Sequence, residues 1–163
     1  MTSSHLFVMD PIAEIIPDHD TTYVIMREVE SRGRTVWWAR SVDLFLTGGQ
    51  LMVEAQKVRV QVNDPEESHY TVLEESVLPV SEHELVWMRE DPPFDQQYLN
   101  STYLLDHASV PVMNSPAGLR ESNEKMLSLE FPEHLPPTWV GASQQRAREF
   151  IGSIGGSAVG KTL

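Results

Sequence analysis

The chain has 163 residues, 40% of them hydrophobic, enough for one well-packed core and part of a second. Its 24 acidic and 12 basic side chains give a formal charge of -12 at pH 7, and with no Lys/Arg cluster this excludes nucleic acid and an anionic membrane surface as partners. The absence of cysteine excludes a disulfide framework, a thiolate metal site and a cysteine nucleophile, and it fits a cytoplasmic protein.

Residues 6–9 read as a first buried strand, preceded by neither the basic region nor the apolar length of a signal peptide or membrane span. Pro11 and Pro17 make residues 10–20 a loop. Asp20 or Thr21 then caps a helix that reaches Arg32, with Tyr23, Met26 and Val29 on one face and Gly33 ending it. Residues 35–39 form a second strand, and strand, helix, strand at this spacing is a βαβ unit with parallel strands. From residue 44 to 62 the pattern becomes a peripheral β-hairpin turning at Thr47-Gly48-Gly49-Gln50. Residues 63–68 read as an acidic turn, and residues 69–84 as irregular apart from 70–73.

The central sheet resumes at residues 85–88. Pro93 and its prolyl neighbour at position 92 bar helix until Phe94, so Arg89, Glu90 and Asp91 sit in stiff backbone at a strand's carboxyl end, the edge at which open α/β sheets bind ligands. Asp95 caps a helix over residues 96–109 whose apolar face is Leu99, Tyr103 and Leu104. Residues 110–113 form a short strand. Asn114-Ser115-Pro116 leads into a helix from residue 117 that carries Asn123, Glu124 and Lys125. Pro132, Pro136 and Pro137 punctuate a linker, followed by a strand at 138–140, a helix capped by Ser143 with Phe150 and Ile151 buried, the pair Gly155-Gly156, and a last apolar stretch, Ala158-Val159, before Lys161.

A lone arginine after a strand reads either as a surface ion-pair partner, here of Glu90 or Asp91, or as a fork that holds a ligand carboxylate through two parallel hydrogen bonds. The only lysines are Lys57, Lys125 and Lys161. Lys125 by itself reads as a helix-surface residue paired with Glu121 or Glu124. Residues 155–162 satisfy the P-loop pattern G-x-x-x-x-G-K-[ST], but a P-loop needs a strand before it and a helix after it, and here a helix precedes. The six histidines include no i, i+4 pair, so no metal site is expected from them. Trp37-Trp38 sends one indole to each face of a strand, a core role.

The stretch Met88-Arg89-Glu90-Asp91, continuing through Pro93-Phe94-Asp95, resembles the M-R-K-D-P-P-F-D motif of bacterial glutathione synthetases. Val8-Met9-Asp10-Pro11-Ile12, Asn114-Ser115-Pro116 with Leu119-Arg120, and Asn123-Glu124-Lys125 match the same family in the same order. Glu90 departs from it, standing where the motif carries Lys. The resemblance implies an α/β fold of the pre-ATP-grasp type: a small, mostly parallel sheet flanked by helices with a β-hairpin insert. Residues 1–122 would be the substrate-binding domain and residues 123–163 the opening of an ATP-grasp domain, truncated at its first strands. The implied reaction is ATP-dependent ligation of γ-glutamylcysteine to glycine through an acyl phosphate.

By the same resemblance Arg89 binds the dipeptide, Asp10 lies in a loop facing the substrate, residues 158–160 form a strand that ends at Lys161, and Lys125 and Lys161 bind ATP. ATP acts with Mg²⁺ whose carboxylate ligands belong to the missing part, so no residue here is assigned a catalytic or metal-binding role. The 163-residue chain alone is then expected to be inert, and a homo-oligomer is left open. A P-loop nucleotide hydrolase and a stand-alone binding or dimerisation module are the rival readings.

Overall fold

The structure, a computed structural model, describes residues 3–60, 68–91 and 93–161. The expectations placed on Val62, on residues 63–67, on the proline at position 92 and on Thr162 lie outside the described residues. The chain divides into two units, Met1–Glu121 and Ser122–Leu163. No helix among the described residues is long and apolar enough to cross a membrane.

The first unit begins with β1 (Ser4–Val8), α1 (Thr21–Ser31) and β2 (Thr35–Ala39). The helix starts at Thr21 because the Asp20 carboxylate accepts the N–H groups of Thr22 and Tyr23 at 2.7 and 3.1 Å. It stops before Gly33, whose φ of +74° suits glycine. Then follow β3 (Leu44–Thr47), β4 (Gln50–Val60), β5 (Tyr70–Pro79), β6 (Leu85–Met88), α2 (Gln96–Leu105), β7 (Val112–Met113) and α3 (Pro116–Glu121).

Among the described residues seven strands make one sheet. Strands β2, β1, β6 and β7 lie side by side and parallel, with Leu6 between Trp37 and Val86 and Val8 between Ala39 and Met88. Strand β4 joins antiparallel to β2 and carries β3 and β5, both antiparallel. Alternation along the strands divides the core between the two faces. Leu6, Val8, Trp37, Val86 and Met88 pack with Tyr98 and Leu105 of α2, while Phe7, Val36 and Met9 pack with Tyr23, Met26 and Val29 of α1. Helices on both faces of parallel central strands make this an α/β fold, as expected.

Three elements differ from expectation. The hairpin is not peripheral: Val53 and Ala55 enter the α2 face of the core, Val58 and Val60 enter the α1 face, and residues 56–58 pair with β2. Its turn is as read, with Gly48 and Gly49 both at positive φ. Strand β5 continues to Pro79 where irregular chain was expected, because backbone pairing with β4 sustains it through a stretch whose side chains are largely exposed. Helix α2 is shorter than expected and buries Tyr98, Ser101, Thr102 and Leu105, leaving Tyr103 54% exposed. Ser101 and Thr102 can be buried because their hydroxyls donate to the carbonyls of Tyr98 and Leu99, each at 2.7 Å.

In the second unit, Asn123 accepts the N–H groups of Lys125 and Met126 at 3.0 and 3.2 Å and so begins a separate helix, α4 (Glu124–Leu127). The continuous helix expected from residue 117 is therefore interrupted. Ser143 caps α5 (Gln144–Ser153), accepting from the Arg146 N–H at 3.3 Å. Residues 138–140 and 158–160 are not strands, since neither stretch has a strand to pair with among the described residues.

Candidate functional site

The parallel ladder between β1 and β6 places Arg89. Its N–H donates to the Val8 carbonyl at 2.7 Å, one step beyond Met88, so its side chain leaves the carboxyl edge of the sheet. The guanidinium reaches the start of α1, where Nε donates to Thr22 Oγ1 and Nη2 to Thr21 Oγ1, both at 3.1 Å. Thr22 is buried. Those hydroxyls stand there because the Asp20 cap fixes the first turn of α1. Across the same edge Asp10 joins two loops: Oδ2 accepts the Asp91 N–H at 2.7 Å, and its carbonyl accepts Trp38 Nε1 at 3.1 Å.

These groups line a cleft of about 420 Å³ at the strand ends, with Asp10, Glu14, His19, Asp20 and Asp91 among its walls. Four carboxylates thus accompany one guanidinium. No carboxylate lies within 4 Å of Arg89 among the described residues, which removes the surface ion-pair reading of this arginine. Arg40 and Arg120, in contrast, are spent on Asp43 at 2.9 Å and Asp106 at 2.7 Å.

Glu90, beside Arg89, turns toward the loop after β2. Its Oε1 accepts the Ser41 hydroxyl at 2.7 Å, while Oε2 is buried with no hydrogen-bond partner among the described residues. Burial pushes its carboxyl above the usual range, the Ser41 bond opposes this, and the charges of Asp10 and Asp95 push it up further.

Arg89 and Asp10 therefore share one cleft, whereas Lys125 and Lys161 belong to the second unit. Lys161 lines an apolar cleft of about 590 Å³ with Trp139, Val140, Phe150 and Ile151; Lys125 is not part of its lining. The P-loop reading lacks its context, because α5 precedes Gly155 where a strand is required and residues 157–161 are irregular. Among the described residues no group of three or more His, Asp or Glu side chains is placed to hold a metal ion.

Pattern reading missed Thr21, Thr22 and Ser41. The threonines read as part of a helix start, and nothing local marks them as partners of an arginine 67 and 68 residues away.

Residues 4–120 match the family model described as prokaryotic glutathione synthetase, N-terminal domain. The glutathione synthetase of Thermosynechococcus vestitus is 36% identical over 155 residues, covering 89% of this chain and 49% of that protein. That of Gloeobacter violaceus is 35% identical over 166 residues, covering 97% and 50%. That of Yersinia pestis is 34% identical over 146 residues, covering 88% and 45%. The chain spans about half the length of the curated relatives it matches.

Proposed function

The chain belongs to the prokaryotic glutathione synthetase family, whose N-terminal domain it matches, and we propose that it forms the dipeptide-binding part of an ATP-dependent carboxylate–amine ligase that joins γ-glutamylcysteine to glycine. The first unit acts as a pre-ATP-grasp substrate domain and the second as the opening of an ATP-grasp domain. The observation that carries this reading is Arg89: a guanidinium at the carboxyl edge of a parallel sheet, held by hydroxyls and bonded to no carboxylate among the described residues. Such a group takes a substrate carboxylate through paired charge-assisted hydrogen bonds. Asp10 supports it by tying the loop after β1 to the loop after β6.

ATP supplies the phosphoryl group that activates the dipeptide's carboxylate toward glycine's amine. The second unit has residues suited to part of that nucleotide. Trp139 and Phe150 offer flat apolar walls for a base, and Lys161 in the same cleft offers an ammonium for phosphate. Lys125 is proposed as a second phosphate contact. The Mg²⁺ that accompanies ATP finds no carboxylate cluster among the described residues, so its ligands are assigned to the part of the family's length that this chain does not span. A cytoplasmic location, small-molecule partners and no nucleic-acid partner complete the proposal. No observation favours a P-loop hydrolase or a stand-alone module.

The reading is tested by ADP release with ATP, Mg²⁺, γ-glutamylcysteine and glycine. A chain extended to the full length of the family is expected to turn over, and the 163-residue chain is not. Turnover by the shorter chain would overturn this division of labour, and an extended chain that ignores γ-glutamylcysteine would overturn the substrate.

A further inference from the structure

The geometry points to Thr21 and Thr22 as positioning residues: they hold the Nε–Nη2 edge of Arg89 so that its Nη1–Nη2 edge is presented to the substrate carboxylate. This inference rests on the proposed role of Arg89 and adds to it how the guanidinium is aimed. A guanidinium carries five N–H donors in a rigid plane and offers a carboxylate two forked edges, one formed by Nε and Nη2 and one by Nη1 and Nη2. In this cleft the first edge is already engaged, Nε by Thr22 Oγ1 and Nη2 by Thr21 Oγ1, each at 3.1 Å. The described residues give Nη1 no partner, so the second edge is the one left for a ligand.

The chemistry of the holders matters. Neutral hydroxyls fix the plane of the guanidinium without cancelling its charge, as a carboxylate would. Thr22 is 5% exposed, so its hydroxyl has little water to turn to. Two of the acids in the cleft are meanwhile bound to backbone donors: Asp20 accepts the N–H groups of Thr22 and Tyr23, and Asp10 accepts that of Asp91. These bonds engage two of the four carboxylates that line the cleft with the arginine. A long, flexible side chain becomes a fixed fork, and the ordering that a bound carboxylate would otherwise impose is already in place.

The test is calorimetric titration of γ-glutamylcysteine into the 163-residue chain, with ¹⁵N NMR of the Arg89 Nε–H as a second readout. Arg89→Ala is expected to weaken binding about tenfold or more and Thr22→Val about tenfold, the size of a lost charge-assisted hydrogen bond. Thr22→Ser keeps the hydroxyl and should restore affinity to within about twofold. On an Arg89→Ala background Thr22→Val should add nothing, because both act through one group. The Nε–H should exchange slowly in the wild type and in Thr22→Ser, and fast in Thr22→Val. Thr21→Val, at an exposed position, repeats the test without touching the core, with a loss of about threefold expected.

Wild-type affinity in both threonine-to-valine variants, with Arg89→Ala impaired, overturns the positioning role and leaves the role of Arg89 standing. Unchanged affinity in Arg89→Ala, or no binding by the wild type, overturns the substrate reading and this inference with it, whatever the Nε–H resonance shows.

Discussion

The two edges of the central sheet treat buried polar groups in opposite ways. At the carboxyl edge Arg89 is held by hydroxyls, while Asp10 and Asp20 beside it accept backbone amides, so no carboxylate among the described residues pairs with the guanidinium. At the amino edge charges are joined to one another and uncharged donors are buried. Arg34 Nε meets Glu84 Oε2 at 3.2 Å, the Ser3 hydroxyl donates to the same carboxylate, and Trp87 Nε1 donates to His5 Nδ1 at 3.1 Å. His83, 3% exposed, shares a hydrogen bond with the Ser4 hydroxyl through Nδ1 at 3.1 Å, and its Nε2 has no partner among the described residues. One edge leaves a guanidinium without an acidic partner among the described residues, which the proposed function uses for binding, and the other uses its polar groups to fasten three strand starts. Variants at the two edges should therefore fail in different assays.

The largest effect belongs to the amino edge in acid. Burial, with the neighbouring His5 adding to it, pushes His83 down to about 4. The unfolded chain takes up that proton near pH 6.5 and the folded chain only near pH 4, so the contribution of neutral His83 is complete above the first value and is lost as pH falls through the window. The full loss is about 3 kcal/mol, most of it reached by about pH 4.5. Denaturant unfolding followed from about pH 7.5 to about pH 4.5 measures it. His83→Asn, which keeps an acceptor for Ser4 but cannot charge, should flatten the profile; an unchanged slope in that variant would assign the acid sensitivity elsewhere.

Next comes the carboxyl edge. In a chain extended through the family's remaining half, Arg89→Ala should raise KM for γ-glutamylcysteine by roughly 10- to 100-fold, about 1.4 to 2.8 kcal/mol, and leave KM for ATP within about twofold. Arg89→Lys should not rescue it, since an ammonium lacks the planar fork that engages both threonines and a carboxylate. An equal loss for both substrates would remove Arg89 from the dipeptide site and erase the contrast between the edges.

Asp20 connects the two behaviours, because one carboxylate both caps α1 and sets the turn that bears Thr21 and Thr22. Asp20→Ala should cost about 1 kcal/mol of stability, and it should also weaken dipeptide binding. Asp20→Asn keeps a cap and should restore both. If stability falls while affinity holds, the cap and the arginine's support are independent.

What was legible in the sequence follows the same division between local and distant contacts. Asp20, Gly33 and Asp95 act within four residues of their own backbone, so the limits of α1 and the start of α2 could be read directly. Tyr23, Met26 and Val29 recur at helical spacing and do form the buried face of α1. The same rule read α2 only in part: Leu104 packs against the core, but Tyr103 is exposed, and Ser101 and Thr102 are buried by returning their hydroxyls to the helix backbone. Arg89 and Asp10 stand out as strand-end residues of a motif, yet the groups that hold Arg89 lie across the fold and carry no periodicity. The Ser41–Glu90 bond, 49 residues apart, was hidden for the same reason.

That bond gives the smallest and sharpest test. Glu90 departs from the motif that its stretch resembles, and its carboxyl has one oxygen on Ser41 and the other buried with no hydrogen-bond partner among the described residues. Its folded carboxyl holds a proton to higher pH than the unfolded one, through burial first and then the charges of Asp10 and Asp95. As pH rises from acid, the unfolded chain therefore ionises first, and the folded state loses stability through that window and stays lowered above it. Glu90→Gln resembles the protonated acid and keeps an oxygen for the Ser41 hydroxyl. It should raise stability at about pH 7.5, modestly because solvent screens a half-buried group, and give a smaller gain in acid, where the wild-type carboxyl is itself protonated. Acid thus strains the amino edge through His83 and relieves the carboxyl edge through Glu90. An equal gain for Glu90→Gln at both pH values would trace the effect to shape rather than charge, and the electrostatic contrast between the edges would rest on His83 alone.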